Sequence, residues 1–189
     1  MTVLGQSYRR IMGQLNLGTN GKIQATNINL SGDWSNAPSG TIITTATGEL
    51  HTTFSTSNDN QQDTGLHTSA LVRKLPGGTT AGTSKIIITC TGGCRSADSS
   101  SGQDVTVLYK SINGGSDSER DYMDSQYRGS TYWLPHSAMH IDTSPDSAGA
   151  SLVYKMYQRS RGGGTTIHFN LVVGGVTGAV YLTAQEVVN

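Results

Sequence analysis

From residue 41 onward the chain is written in short segments that alternate apolar with polar or small residues, each cut off by a cluster of turn formers. The segments are 41–46 (TIITTA), 49–55 (ELHTTFS), 66–72 (LHTSALV), 84–90 (SKIIITC), 104–110 (DVTVLYK), 137–142 (SAMHID), 151–160 (SLVYKMYQRS), 165–172 (TTIHFNLV) and 179–188 (AVYLTAQEVV). A period of two sends successive side chains to opposite faces of a strand, so each segment presents one face for burial. The breaks between them, such as SNDNQQDTG, LPGGTTAGT, SINGGSDS and DTSPDSAG, hold the residues that turns require. Eight or nine short strands at this spacing specify an all-β sandwich or closed barrel. Composition agrees, because 24 Gly, 24 Thr and 22 Ser leave few good helix formers.

Alternation also assigns faces. Leu152, Tyr154 and Met156 share one side of their strand, with Val153, Lys155 and Tyr157 on the other; Ile167, Phe169 and Leu171 share a side of the next. Tyr157 is therefore expected to meet solvent or another subunit. In the last segment Val180, Leu182 and Ala184 alternate with Tyr181, Thr183 and Gln185, the pattern of a strand inside a sheet. Residues 1–40 lack any sustained stripe and read as an N-terminal arm or a set of short strands, with the sandwich domain spanning 41–189.

Thirteen Lys plus Arg balance thirteen Asp plus Glu, and charged residues make up only 14% of the chain, against ~25% in an ordinary domain. That balance carries no electrostatic footprint for nucleic acid and weakens self-repulsion, which favours a subunit of a larger assembly. The first residues, MTVLGQSYRRIMGQLNLG, have no apolar run, so neither a signal peptide nor a membrane span is expected. Cys90 and Cys94 enclose three residues, a spacing that is neither a CxxC redox pair nor half of a zinc site, and two thiols at a strand end are expected over a small disulfide loop.

Several motifs, in order, carry a resemblance. Asp63, Thr64, Gly65 and Leu66 are followed by Ser84, Lys85 and Ile86, then by LYKSINGG (108–115). Next come Asp142, Ser144 and Pro145, a strand with Tyr154, Lys155, Gln158, Arg159 and Ser160, the glycines 162–164, Asn170, and a closing strand with Leu182, Thr183, Glu186 and Val187. Over roughly 63–189 this resembles the small jelly-roll virion proteins of tailed bacteriophages, of the decoration and fibre-head type. Ala184 and the CTGGC segment depart from the pattern.

The resemblance implies an antiparallel jelly-roll sandwich similar to tumour-necrosis-factor and complement-globular heads. It further implies a homotrimer, a place on the virion surface after synthesis in the host cytoplasm, and a non-enzymatic role without cofactor or metal. A free-standing module behind an arm points to a capsid decoration or cement protein partnered by the major capsid protein; the alternative is the receptor-binding knob of a head or tail fibre, and after it a polysaccharide depolymerase. Tyr8, Arg9, Arg10, Ile11, Met12, Leu15 and Leu17 are the expected capsid-attachment residues, since an apolar arm gains free energy on docking.

The aromatic segment 121–135, with Tyr122, Tyr127, Tyr132 and Trp133, fits three roles: a platform facing a host surface glycan, an intersubunit contact, or a core plug. Tyr157 joins it as a receptor or interface candidate. Asp117, Glu119, Asp121 and Asp124 supply the carboxylates a glycosidase would need, but interleaved serines and arginines make a solvated loop the simpler expectation. His136 and His140 have a zinc-like spacing only on a helix. On a strand they stand ~13 Å apart, too far to share one ion.

Overall fold

The computed structural model describes residues 15–17, 23–25, 37–97, 103–127, 134–143, 146–161, 164–170 and 178–189. The chain divides into two compact units, Met1–Asp33 and Trp34–Asn189. In the first, β1 (Leu15–Leu17) pairs antiparallel with β2 (Ile23–Ala25), Leu15 opposite Ala25.

The second unit contains β3 (Ile42–Leu50), β4 (Phe54–Thr56), β5 (Gln62–His67), β6 (Leu71–Val72), β7 (Ser84–Ala97) and β8 (Gln103–Ile112). It continues with β9 (Ser118–Tyr127), β10 (Leu134–Asp142), β11 (Ser151–Arg161), β12 (Ile167–Phe169) and β13 (Val180–Val188), and no helix occurs among the described residues. One sheet runs β3-β13-β7-β12-β4 with β10 also on β7, and the other runs β5-β11-β8-β9 with β6 also on β11. Every pairing between these strands is antiparallel.

Ile86, Ile88, Cys90, Phe169, Val180 and Leu182 from the first sheet pack in one cluster with Leu66, Leu108, Leu152, Tyr154 and Met156 from the second. The two sheets thus share a core, giving an all-β, sandwich-like unit. Each such aliphatic side chain contributes about 1.5–3 kcal/mol by leaving water. Strand β11 buries every second residue, Leu152 through Ser160, as its alternation requires. Strand β13 lies between β3 and β7, inside its sheet.

Several expected boundaries move, each for a tertiary reason. The break expected between 41–46 and 49–55 falls later: β3 runs through Gly48 because β13 pairs with it from Ile42 to Leu50, and the second strand, β4, begins at Phe54. The segment 66–72 splits into β5 and β6, since Thr68 turns its backbone N–H to Tyr154 O (2.9 Å) and its Oγ1 to Tyr154 N (3.0 Å). The acidic stretch expected as a solvated loop is instead strand β9. Asn113 (φ 52°) and Gly114 (φ 71°) form the hairpin turn that folds it onto β8, closed by Gly115 N to Ile112 O at 2.9 Å. Its charges protect a sheet edge from further pairing.

The CTGGC segment is no strand end either. Gly92 (φ 88°) and Gly93 (φ 55°) sit inside β7. Beyond them β12 takes the place of β13 beside β7, while β10 continues to Arg95 with a register shift between Leu134 and His136. Cys90 is in the core, Cys94 is half-buried, and no disulfide joins them.

Candidate functional site

The outward side of the second sheet is built by cross-strand register. One row reads Tyr122, Val107, Tyr157, Asp63 across β9, β8, β11 and β5, and the next reads Glu119, Tyr109, Lys155, His67. Leu108 and Met156 point into the core, so their neighbours Val107 and Tyr157 face outward. Val107 is nonetheless fully buried, in register between Tyr122 and Tyr157.

Each ring in these rows is tethered by its polar tip. The Tyr109 and Tyr157 rings lie 4.2 Å apart at 35°. The Tyr157 hydroxyl donates to Asp117 Oδ2 at 2.7 Å, and Lys155 Nζ donates to the same carboxylate at 2.8 and 2.9 Å. Tyr109 donates to Glu119 Oε2 at 3.3 Å, an oxygen that also accepts from Gln61 Nε2 at 3.0 Å. Arg159 donates to the Tyr122 hydroxyl at 3.2 Å and stands 5.7 Å from that ring's centroid. The result is a fixed, amphipathic surface of rings and oxygens, suited to stacking on and hydrogen-bonding a polyhydroxylated ligand.

Titration of this surface follows from its contacts. Burial, then the Asp117 hydrogen bond, pushes the Tyr157 phenol up, while burial and Glu119 raise Tyr109. In the core, burial and Asp142 raise Tyr154. Burial by itself would raise Asp117, but the hydrogen bonds from Lys155 and Tyr157 outweigh it and hold the carboxyl below its usual range. A phenol raised in the folded state contributes stability below its unfolded value, ~10, that is lost as pH rises through the folded value. Stability is therefore expected to fall above pH ~10, and the phenolate absorbance of Tyr109, Tyr154 and Tyr157 should develop together with unfolding rather than before it. Titration of Tyr109, Tyr154 or Tyr157 before unfolding, assigned by comparison with the corresponding Tyr→Phe variant, would contradict these contacts.

The opposite outward face differs in kind. Its rows are Met139, Thr89, Thr183, Thr47 and Ile141, Ile87, Gln185, Thr45 across β10, β7, β13 and β3. Met139 is 64% exposed, with Ile141 and Tyr181 each at 46%. These two rows carry no charge; Glu49 stands in the adjoining row with Tyr181, and Lys85 lies beyond the other side.

A third cluster is sealed inside. Glu186 Oε1 accepts from Leu75 N (3.0 Å) and Ser84 Oγ (2.6 Å), and its Oε2 accepts from Lys74 N (2.9 Å). Arg73 donates to Ser84 O (2.8 Å) and Oγ (2.7 Å), with its Nε 3.7 Å from Glu186. Lys110 Nζ reaches Asp142 (2.8 Å) and Asp146 (2.6 Å). The side chains of Arg73, Lys110 and Glu186 are wholly buried, so this clasp is closed to an external substrate.

Of the expected receptor or interface residues, the structure brings Tyr122 and Tyr157 into one row. Tyr127 ends β9, but its side chain, like all of Tyr132 and Trp133, lies outside the described residues. So do Tyr8, Arg9, Arg10, Ile11 and Met12, and the side chains of Leu15 and Leu17 in β1. The sequence reading missed Tyr109, although it lies two residues from outward-facing Val107 and the period of two would have placed it. His136 packs on Phe169 with ring centroids 4.2 Å apart, while His140 Nδ1 meets Asp121 Oδ2 at 2.8 Å. No three His, Cys, Asp or Glu among the described residues are grouped to hold a metal ion. Compared with protein-family models and with curated proteins, the chain matches none.

Proposed function

We propose that this chain is a non-enzymatic structural protein of a tailed-bacteriophage particle, a trimeric jelly-roll module that decorates the capsid and is attached through residues 1–40. The observation that carries the reading is the uncharged outward face of Met139, Ile141, Ile87, Thr89, Thr183 and Gln185, which an isolated subunit would leave in water. Two further copies of the chain, meeting this face around a threefold axis, are its natural cover, because no desolvated charge opposes contact. The zero net charge of the chain acts in the same direction.

Strand pairing supports the jelly-roll part. Taking the eight longest crossing strands in order as β3, β5, β7, β8, β9, β10, β11 and β13, the first pairs the last, the second the seventh, the third the sixth and the fourth the fifth. A chain doubled into one antiparallel ribbon produces those four pairings. Rolling the ribbon adds β13 to β7 and β11 to β8, the arrangement of the tumour-necrosis-factor-like jelly roll that the motifs of 63–189 resemble.

Light scattering on the purified chain is expected to give about three times the 19.9 kDa of one chain, and Ile141→Lys should reduce it to one chain with an unchanged circular-dichroism spectrum. Residues 41–189 alone should still trimerise but fail to bind particles that lack the protein. Full binding by that truncated chain would overturn the decoration reading.

The tyrosine-lined face favours a second reading, a receptor-binding knob, in which Tyr109, Tyr122 and Tyr157 meet a host surface glycan. Binding to cells that is lost in Tyr122→Ala, with particle attachment unaffected, would select it. The carboxylates Asp117 and Glu119 are already engaged by Lys155, Tyr157, Tyr109 and Gln61, which gives a depolymerase less support.

A further inference from the structure

Among the described residues Lys110 is the only fully buried lysine. Its Nζ is held between two carboxylates, 2.8 Å from Asp142 Oδ2 and 2.6 Å from Asp146 Oδ2. The Tyr154 hydroxyl, also buried, donates to that same Asp142 oxygen at 2.8 Å. Arg73 NH1 stands 4.0 Å from the Asp146 oxygen and adds a fixed positive charge on its far side. A primary amine, a carboxyl group as acceptor, a second carboxylate within reach of the amine protons and a hydrogen-bond donor on the acceptor oxygen are what an amide condensation needs, and here they are pre-positioned away from bulk water.

We propose that Lys110 and Asp142 condense into an intramolecular amide, with Asp146 as the proton-transferring base. Asp146 takes one proton from Nζ and passes it to Oδ1 of Asp142. The freed amine attacks Asp142 Cγ, forming the N–C bond, and negative charge gathers on Oδ2, where the Tyr154 hydroxyl stabilises it. Asp146 then removes a second proton from the nitrogen and delivers it to Oδ1; the Cγ–Oδ1 bond breaks and water leaves. Two protons and one oxygen are lost, Asp146 ends as it began, and no oxidant or cofactor is consumed. Burial and the adjacent Asp142 hold the Tyr154 phenol far above its ordinary value, so it remains a donor throughout. Asp142 and Asp146 keep 6% and 8% of their side-chain surface exposed, which leaves the water a way out.

The bond would join β8 of one sheet to β10 of the other and close the chain between them, restricting the unfolded state as a disulfide does. It stands independently of the virion reading.

Intact-mass spectrometry of the denatured full chain is the test. The expected mass is lower than that of the sequence by one water, about 18 Da after N-terminal processing is accounted for, since forming the amide expels one. A proteolytic digest should contain a branched peptide joining Lys110 to Asp142. Lys110→Arg, which keeps the cation without an amine nucleophile, should have its full mass, and Asp146→Asn should acquire the loss slowly or not at all. A wild-type chain of full mass overturns the proposal, as does a water loss that maps to any pair other than Lys110 and Asp142.

Discussion

Glu186→Ala is expected to remove about 3–5 kcal/mol of folding stability, the range found when one member of a buried ion pair is deleted. Its carboxylate accepts the backbone N–H groups of Lys74 and Leu75, takes the Ser84 hydroxyl, and faces the Arg73 guanidinium. Deletion leaves two amide protons without that acceptor and the wholly buried Arg73 side chain without its carboxylate at 3.7 Å, with the Ser84 oxygens and the more distant Asp146 remaining. Against a total of about 5–15 kcal/mol for a domain, that is enough to unfold a large fraction of the protein. Urea titration should show the midpoint falling with little change in slope. The double replacement Arg73→Met with Glu186→Leu should recover much of the loss, because it removes the stranded charge as well as its partner. A single replacement that costs under about 1 kcal/mol would mean that the clasp does not hold the Arg73–Leu75 segment to β13.

Gly92→Ala is expected to be nearly as damaging, at about 2–4 kcal/mol, by combining backbone strain with overpacking. At φ 88° the backbone lies where side-chain-bearing residues rarely go, and a Cβ there would stand 2.5 Å from the Ala179 carbonyl oxygen. That oxygen belongs to the backbone leading into β13 and cannot rotate away. The backbone must therefore shift, which disturbs the β-bulge where the register with β10 slips and β12 replaces β13 beside β7. Thermal unfolding compared with Thr91→Ala, an exposed neighbour with no such constraint, isolates the effect. Equal melting temperatures for the two variants would show that the bulge is dispensable.

The outward face of the second sheet shows how far local pattern reaches. Alternation alone places Tyr157 on the non-core side, and it is there, because on a strand parity is set by the backbone and needs no partner. Aromatic content singles out Tyr122, yet its place beside Val107 depends on a hairpin turn and on the register shift between Leu108 and Tyr109 of β8. Arg73 carries no comparable signal. The convergence of Glu186 and Ser84 from distant strands makes its burial tolerable.

What the sequence determined by itself is the class of the molecule: an all-β chain whose strands near 104–110, 151–160 and 179–188 bury the residues that alternation selects. Those properties are local, since the pleat, the turn residues and the period of two act over a few positions. The tertiary structure alone decided that the acidic stretch after residue 117 is an edge strand, that β7 continues through two glycines, and that two cations and three carboxylates close the core together. Each of these depends on groups far apart in the chain, where a hydrogen bond or a buried charge is favourable only once its partner has arrived.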